Sequence, residues 1–274
     1  MTLKEIRATL DTRGLRPLKQ FGQNFLHDQN LARWLAGRIL DDLTPGACVV
    51  EIGPGLGALT EFLLVGEKPL IAIEKDRGLC AFLRERFGSD IAAGRFDLRE
   101  GDALDLLPRL DSEPTVVCGN LPYYISTPLL MECLRLPGEP ARLFFLIQKE
   151  VGQRLAASSG SKAYGALSVF VQAGYDVALV RTLPGSVFYP QPEVESVAVQ
   201  LTPLAQPLVP SSARESFMKV VQRGFSQRRK KLSNLLPVTD QRRAEHLSPQ
   251  EWVDLWRQVE TGPVTCPPPP TAPA

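Results

Sequence analysis

Asn120-Leu121-Pro122-Tyr123 is the stretch whose residue types and order carry the most specific chemistry in this chain. It follows an apolar, strand-like run, Thr115 to Cys118. A carboxamide oxygen and the next peptide carbonyl, side by side at a strand end, can accept both N–H groups of an exocyclic amine such as adenine N6. That amine is a poor nucleophile because its lone pair is delocalised into the ring. Two accepted hydrogen bonds favour a pyramidal nitrogen with the lone pair available. Asn120 supplies the carboxamide and Leu121 the carbonyl, while Pro122 fixes the backbone so that this carbonyl points into the site. Tyr123 offers a flat face on which an extruded base can stack, worth about 1–3 kcal/mol. No strong base is required, because the amine becomes acidic as it takes a methyl group.

A second constellation lies upstream. Glu51-Ile52-Gly53-Pro54-Gly55-Leu56-Gly57 follows a strand-like run and opens a helical pattern. Glycines there let a ligand lie against the backbone across the strand ends. Alone, the pattern Gly53-x-Gly55-x-x-Ala58 fits a dinucleotide fingerprint as well. Glu74 ends the next strand about twenty residues on, placed to accept from both ribose hydroxyls, which suits NAD and S-adenosylmethionine equally. Two details favour S-adenosylmethionine. Glu51 would repel a pyrophosphate and suits a sulfonium or amino group, and Asp102, after the next strand region, can accept from an adenine amine. Ligands bind in the crevice at the strand ends of such sheets, so carboxylates at successive ends point to one site.

Other chemistries are excluded by composition. His27 and His246 have no metal-ligand partner at useful spacing, so no metal is expected. The five cysteines (Cys48, Cys80, Cys118, Cys133, Cys266) form no CxxC pair and read as reduced structural thiols. No apolar run approaches the roughly 20 residues of a spanning helix. The first twenty residues hold no apolar signal segment, so a cytoplasmic location is expected. Charge is nearly balanced, 31 Lys+Arg against 30 Asp+Glu, yet uneven in placement. Seven basic residues between Arg214 and Lys231 face Glu215 alone, a pattern suited to a polyanion partner.

The elements that must hold these groups follow from periodicity. Strands are expected at Ala47 to Ile52, Leu70 to Ile73, Phe96 to Leu98, Thr115 to Cys118, Leu143 to Ile147, Val177 to Arg181 and Val194 to Leu201. Helices of about ten residues between the earlier strands imply a parallel sheet covered on both faces. The last two strands lack an intervening helix and read as an antiparallel hairpin at one edge. Pro203, Pro207 and Pro210 mark a linker. Helices are then expected over Arg214 to Phe225, Gln227 to Leu236 and Pro249 to Gln258, the last capped by Ser248. The fold class is thus α/β: a seven-stranded, mostly parallel Rossmann-like sheet over 1–203, a small all-helical C-terminal domain over 204–261, and a disordered Pro-rich tail over 262–274.

With these motifs in place, the chain resembles the KsgA-type ribosomal RNA adenine N6,N6-dimethyltransferase family along nearly its whole length. The likeness rests on Phe21-Gly22-Gln23-Asn24-Phe25-Leu26, the Glu51 to Gly57 loop, Asn120 to Pro128, Gln148-Lys149-Glu150-Val151, Ser161-Lys162-Ala163-Tyr164-Gly165, Phe188-Tyr189-Pro190-Gln191-Pro192 and Phe225-Ser226-Gln227-Arg228-Arg229-Lys230. Tyr124 stands where some relatives carry Asn. The resemblance implies that Asn24, Leu26, Gly53, Glu74, Asp102 and Asn120 line an S-adenosylmethionine site, with Phe21 to Leu26 folded over the cofactor. It implies that Phe188 meets the target base opposite Tyr123, and that Arg228, Arg229, Lys230 and Lys231, with Arg223 nearby, contact RNA phosphates. The implied substrate is a pair of adjacent adenosines in a hairpin loop near the 3′ end of small-subunit (16S) rRNA, within a 30S precursor, each dimethylated at N6 by a monomer. Two alternatives remain open: a large-subunit rRNA methyltransferase conferring antibiotic resistance, and an assembly factor whose main role is ribosome binding.

Overall fold

The computed structural model describes residues 1–17, 22–44, 46–66, 68–111, 113–136 and 140–262. Phe21, Cys266 and the Pro-rich tail lie outside the described residues. The chain divides into two compact units, Met1–Gln153 with Tyr175–Leu204, and Arg154–Gly174 with the chain from Ala205 onward. The expected linker, marked by Pro203, Pro207 and Pro210, lies where the chain passes from Leu204 to Ala205. Segment 154–174 differs from the expectation, since it groups with the helical unit and not with the sheet.

Among the described residues the first unit carries nine strands: β1 Phe25–Leu26, β2 Val49–Ile52, β3 Leu70–Glu74, β4 Phe96–Glu100, β5 Val116–Asn120, β6 Arg142–Gln148, β7 Tyr175–Leu183, β8 Phe188–Tyr189 and β9 Ser196–Pro203. Seven of them form one sheet in the order β4-β3-β2-β5-β6-β9-β7. Strands β2 to β6 run parallel, and β9 lies antiparallel between β6 and β7. Every residue of β2 and β3 is buried, as expected for central parallel strands covered on both faces. The chain moves outward from β2 to β4 and then returns to β5 on the other side. This reversal places a crevice between the carboxyl ends of β2 and β5, the position where open α/β sheets bind ligands.

Two features fix that crevice. Asp76 caps the helix Arg77–Arg86 by accepting from Gly78 and Leu79, which anchors the turn after β3. Gly119 has φ +154°, and a Cβ there would lie 2.2 Å from the carbonyl oxygen of Ile52, so only glycine lets β5 approach the end of β2 this closely. A separate two-stranded sheet, unforeseen in the sequence, pairs Phe25 with Tyr189 and Leu26 with Phe188.

The second unit builds its own core from Tyr164, Phe217, Leu232, Leu247 and Trp252, all nearly inaccessible to solvent. Phe225 stacks on Trp252 at 5.3 Å, and the Tyr164 hydroxyl donates to the Leu247 carbonyl at 2.8 Å. Helices Arg214–Phe225 and Pro249–Thr261 stand where the sequence places them, the latter with a Ser248–Glu251 capping box. The helix expected over Gln227 to Leu236 does not form. There the amides of Leu232 and Ser233 donate to Arg242 and Asp240, and Lys231 bridges to Arg243, so the backbone donors are spent across the chain.

Candidate functional site

A cavity runs along the carboxyl ends of β2, β3 and β5, about 990 Å³ with open solvent at its mouth included. It brings together Asn24, Leu26, Glu51, Gly53, Gly55, Glu74, Asp102, Asn120, Leu121, Pro122 and Tyr123, residues spread over a hundred positions of sequence.

Glu51 ends a fully buried strand and is itself 1% exposed. One carboxylate oxygen accepts from the Thr60 hydroxyl at 2.7 Å, and among the described residues no lysine or arginine pairs with it. Burial, reinforced by the nearby charge of Glu74, pushes its pKa up to about 7. An acidic group held in an apolar cavity without a counter-cation suits a cationic ligand and disfavours a pyrophosphate.

Glu74 organises the loops around it. Its Oε2 accepts from the Gly55 amide at 3.1 Å, and its Oε1 accepts from the amides of Lys75 and Asp76 at 2.8 and 2.9 Å. These bonds take three of the roughly four acceptor positions of a carboxylate. The remaining one, on Oε2, is open to a further donor from the cavity. Burial raises the pKa of Glu74, opposed by its three amide donors.

Asp102 caps the short helix Ala103–Leu106 through the Leu104 amide at 3.0 Å and pairs with Lys75 Nζ at 2.7 Å. Although burial opposes it, these two bonds hold the Asp102 pKa below the ordinary carboxylate value. Its carboxylate is thus oriented and charged beside the cavity.

The N-terminal segment closes over these groups. A Cβ on Gly22 would touch Tyr124, Tyr123 and Pro122, and one on Gly55 would meet the Phe25 ring at 3.1 Å. The Asn120 Nδ2 donates to the Asn24 carbonyl at 2.8 Å. That bond assigns the amide orientation and leaves Oδ1 as the acceptor. The Leu121 amide continues the β5 ladder by donating to Leu146, at 3.0 Å. Tyr123 is half-buried, and its hydroxyl lies 2.7 Å from Ser196 Oγ.

Phe188 is the residue expected to face a target base opposite Tyr123. It is 3% exposed, pairs with Leu26 and packs in the hydrophobic core, and it does not line the cavity. In the second unit, Arg223, Arg228, Arg229, Lys230 and Lys231 are all exposed. Arg228 donates to the carbonyls of Lys162 and Tyr164, and Lys231 to Gln241, whereas no carboxylate pairs with Arg229 or Lys230 among the described residues. Four residues that shape the site, Gly119, Thr60, Lys75 and Ser196, do not stand out in the motifs above. Of these, Gly119 had a legible signal, since a glycine inside a strand marks a close backbone approach.

The fold matches solved methyltransferases. A dimethyladenosine transferase from Plasmodium falciparum is 21% identical, with TM-score 0.73, over 86% of this chain and 98% of that one. The 23S rRNA methyltransferase ErmE is 22% identical, with TM-score 0.66, over 86% of this chain and all of that one. Sheet order, crevice and lining together define a class I methyltransferase that uses S-adenosylmethionine. A model of the family "Ribosomal RNA adenine dimethylase" matches residues 15–261. The "Ribosomal RNA small subunit methyltransferase A" of Moorella thermoacetica is 44% identical over 84% of this chain and 82% of the relative. Its counterpart in Geobacter sulfurreducens is 40% identical over 88% and 95%. The chain belongs to the ribosomal RNA adenine dimethylase family.

Proposed function

We propose that this protein transfers methyl groups from S-adenosylmethionine to N6 of two adjacent adenosines in a hairpin near the 3′ end of small-subunit rRNA, giving N6-dimethyladenosine during ribosome biogenesis. It acts as a cytoplasmic monomer and without a metal. The observation that carries the reading is the Asn120 carboxamide, turned by the Asn24 carbonyl so that its oxygen is the free group beside the cavity.

The lining fits the cofactor by its donor set: one buried carboxylate without a counter-cation, two further carboxylates at the next strand ends, and a glycine loop that leaves backbone accessible. When bound, S-adenosylmethionine supplies a methyl group on a cationic sulfur. Glu51 attracts the cationic end, Glu74 accepts from ribose and Asp102 accepts from the adenine amine, while Asn24 and Leu26 cover the methionine side. Asn120 Oδ1 and the Leu121 carbonyl accept the two N–H groups of the target amine, which localises its lone pair. Pro122 holds that carbonyl in place, and Tyr123 stacks on the extruded base. Rate acceleration comes chiefly from orientation. Arg229 and Lys230, with Arg223, Arg228 and Lys231, hold the RNA backbone without reading its sequence.

Purified ribosomal subunits incubated with methyl-labelled cofactor test the reading. Label is expected in small-subunit RNA, recovered as dimethyladenosine. Label confined to large-subunit RNA would instead favour a large-subunit rRNA methyltransferase.

A further inference from the structure

Tyr123 carries more than a flat ring needs. Its hydroxyl lies 2.7 Å from Ser196 Oγ, a contact spanning 73 residues of sequence. Ser196 is wholly buried at the start of β9, one of only six polar or charged residues buried among the described ones. Its backbone is clamped on both sides, opposite Gln148 of β6 and Leu183 of β7. The preceding residue is held as well: the Lys149 amide donates to the Glu195 carbonyl at 2.9 Å, and Lys149 Nζ pairs with the Glu195 carboxylate at 2.8 Å. Tyr123, by contrast, sits on a loop beyond β5, where Ser126 Oγ bonds its carbonyl and Ser196 alone is bonded to its ring. A base platform without a fixed plane would serve equally well as phenylalanine, so the buried serine gives the hydroxyl a purpose.

The chemistry of two successive transfers says where that purpose counts most. Adenosine offers two N–H groups, one for Asn120 Oδ1 and one for the Leu121 carbonyl. The monomethyl product offers one. Half of the polar hold on the amine is therefore gone in the second step, and the burden of orienting the base shifts to stacking. We propose that Ser196 is a positioning residue that fixes the plane of the Tyr123 ring, and that the second methyl transfer depends on it more than the first. This rests on reading Tyr123 as the platform for the target base.

The test is single-turnover methylation of small-subunit particles, with mono- and dimethyladenosine quantified over time by mass spectrometry. The ratio of second to first rate constants is unaffected by the fraction of folded enzyme. Ser196→Ala and Tyr123→Phe should each lower that ratio by roughly two- to tenfold, the range of one ordinary hydrogen bond, and monomethyladenosine should accumulate. The double variant should lose no more than either single one, since both remove the same contact. Ser196→Thr should restore the ratio, and affinity for S-adenosylhomocysteine should stay unchanged throughout. An unchanged ratio in Tyr123→Phe, alongside impaired Tyr123→Ala, would overturn the role of Ser196 and leave the platform intact. Full activity in Tyr123→Ala would overturn the platform and this inference with it. Should Ser196→Ala fail to fold, Tyr123→Phe carries the test alone.

Discussion

Replacing Glu51 by glutamine should make the protein more stable in mild alkali and leave it little changed in acid. The carboxyl is buried at the end of β2, and its pKa rises from 4.5 to about 7 because burial penalises the charged form. With the folded value above the unfolded one, the fold keeps a proton that the unfolded chain has already released. The stability this proton contributes is complete below pH 4.5 and is lost as pH rises through 7. At about 1.4 kcal/mol per pH unit, the full effect is about 3 kcal/mol, most of which falls between pH 5 and pH 8. Glutamine keeps an oxygen to accept from the Thr60 hydroxyl but does not titrate. Urea unfolding of both proteins at a series of pH values isolates the term, because titrating groups that do not interact with Glu51 cancel in the difference. The variant's advantage should grow toward alkaline pH by about 2–3 kcal/mol over that interval. It should be accompanied by weakened binding of S-adenosylhomocysteine, whose cationic amino group loses its counter-charge. Parallel stability curves for the two proteins would refute the reasoning.

Two further outcomes follow from the geometry. Gly119→Ala places a methyl group 2.2 Å from the Ile52 carbonyl oxygen at φ +154°, and backbone cannot yield as a side chain does. A loss of at least about 2 kcal/mol is expected in chemical denaturation, together with loss of cofactor binding as the β2–β5 crevice is forced apart. Joint replacement of Arg229 and Lys230 by alanine should weaken RNA binding across sequences and lower the slope of log affinity against log salt by roughly 1.5–2, with cofactor affinity unchanged in calorimetry.

The site was legible where function demands a local pattern. The glycine loop after β2, the carboxylates at the ends of β2 and β3, and Asn120 to Tyr123 all sit where chain direction reverses at a strand end, and short sequence windows record that. The central strands of the large sheet were legible because their burial on both faces leaves continuous apolar runs, as at Leu143 to Ile147. The β1–β8 pair was not, since two-residue strands have no periodicity to read. The basic stretch after Phe225 suggested a helix by composition, yet its backbone is claimed by residues 240–243, a tertiary contact that no local propensity encodes. Segment 154–174 failed similarly: Tyr164 and Val169 are apolar enough for either core, and only packing decides that they join Trp252. The burial of Phe188 was not legible either, because its strand partner Leu26 lies far off in the sequence. The partners that set orientation, Asn24 for Asn120 and Ser196 for Tyr123, lie 96 and 73 residues away and leave no trace in the motif itself.

The most direct trial of the account is nucleoside mass spectrometry of small-subunit rRNA from cells lacking this protein, complemented with wild type or with Asn120→Ala. Dimethyladenosine should be missing without complementation, return with the wild type and remain missing with Asn120→Ala, even though that variant still sediments with the small-subunit precursor. A normal dimethyladenosine signal in the Asn120→Ala strain would contradict the assignment of that carboxamide to the amine being methylated.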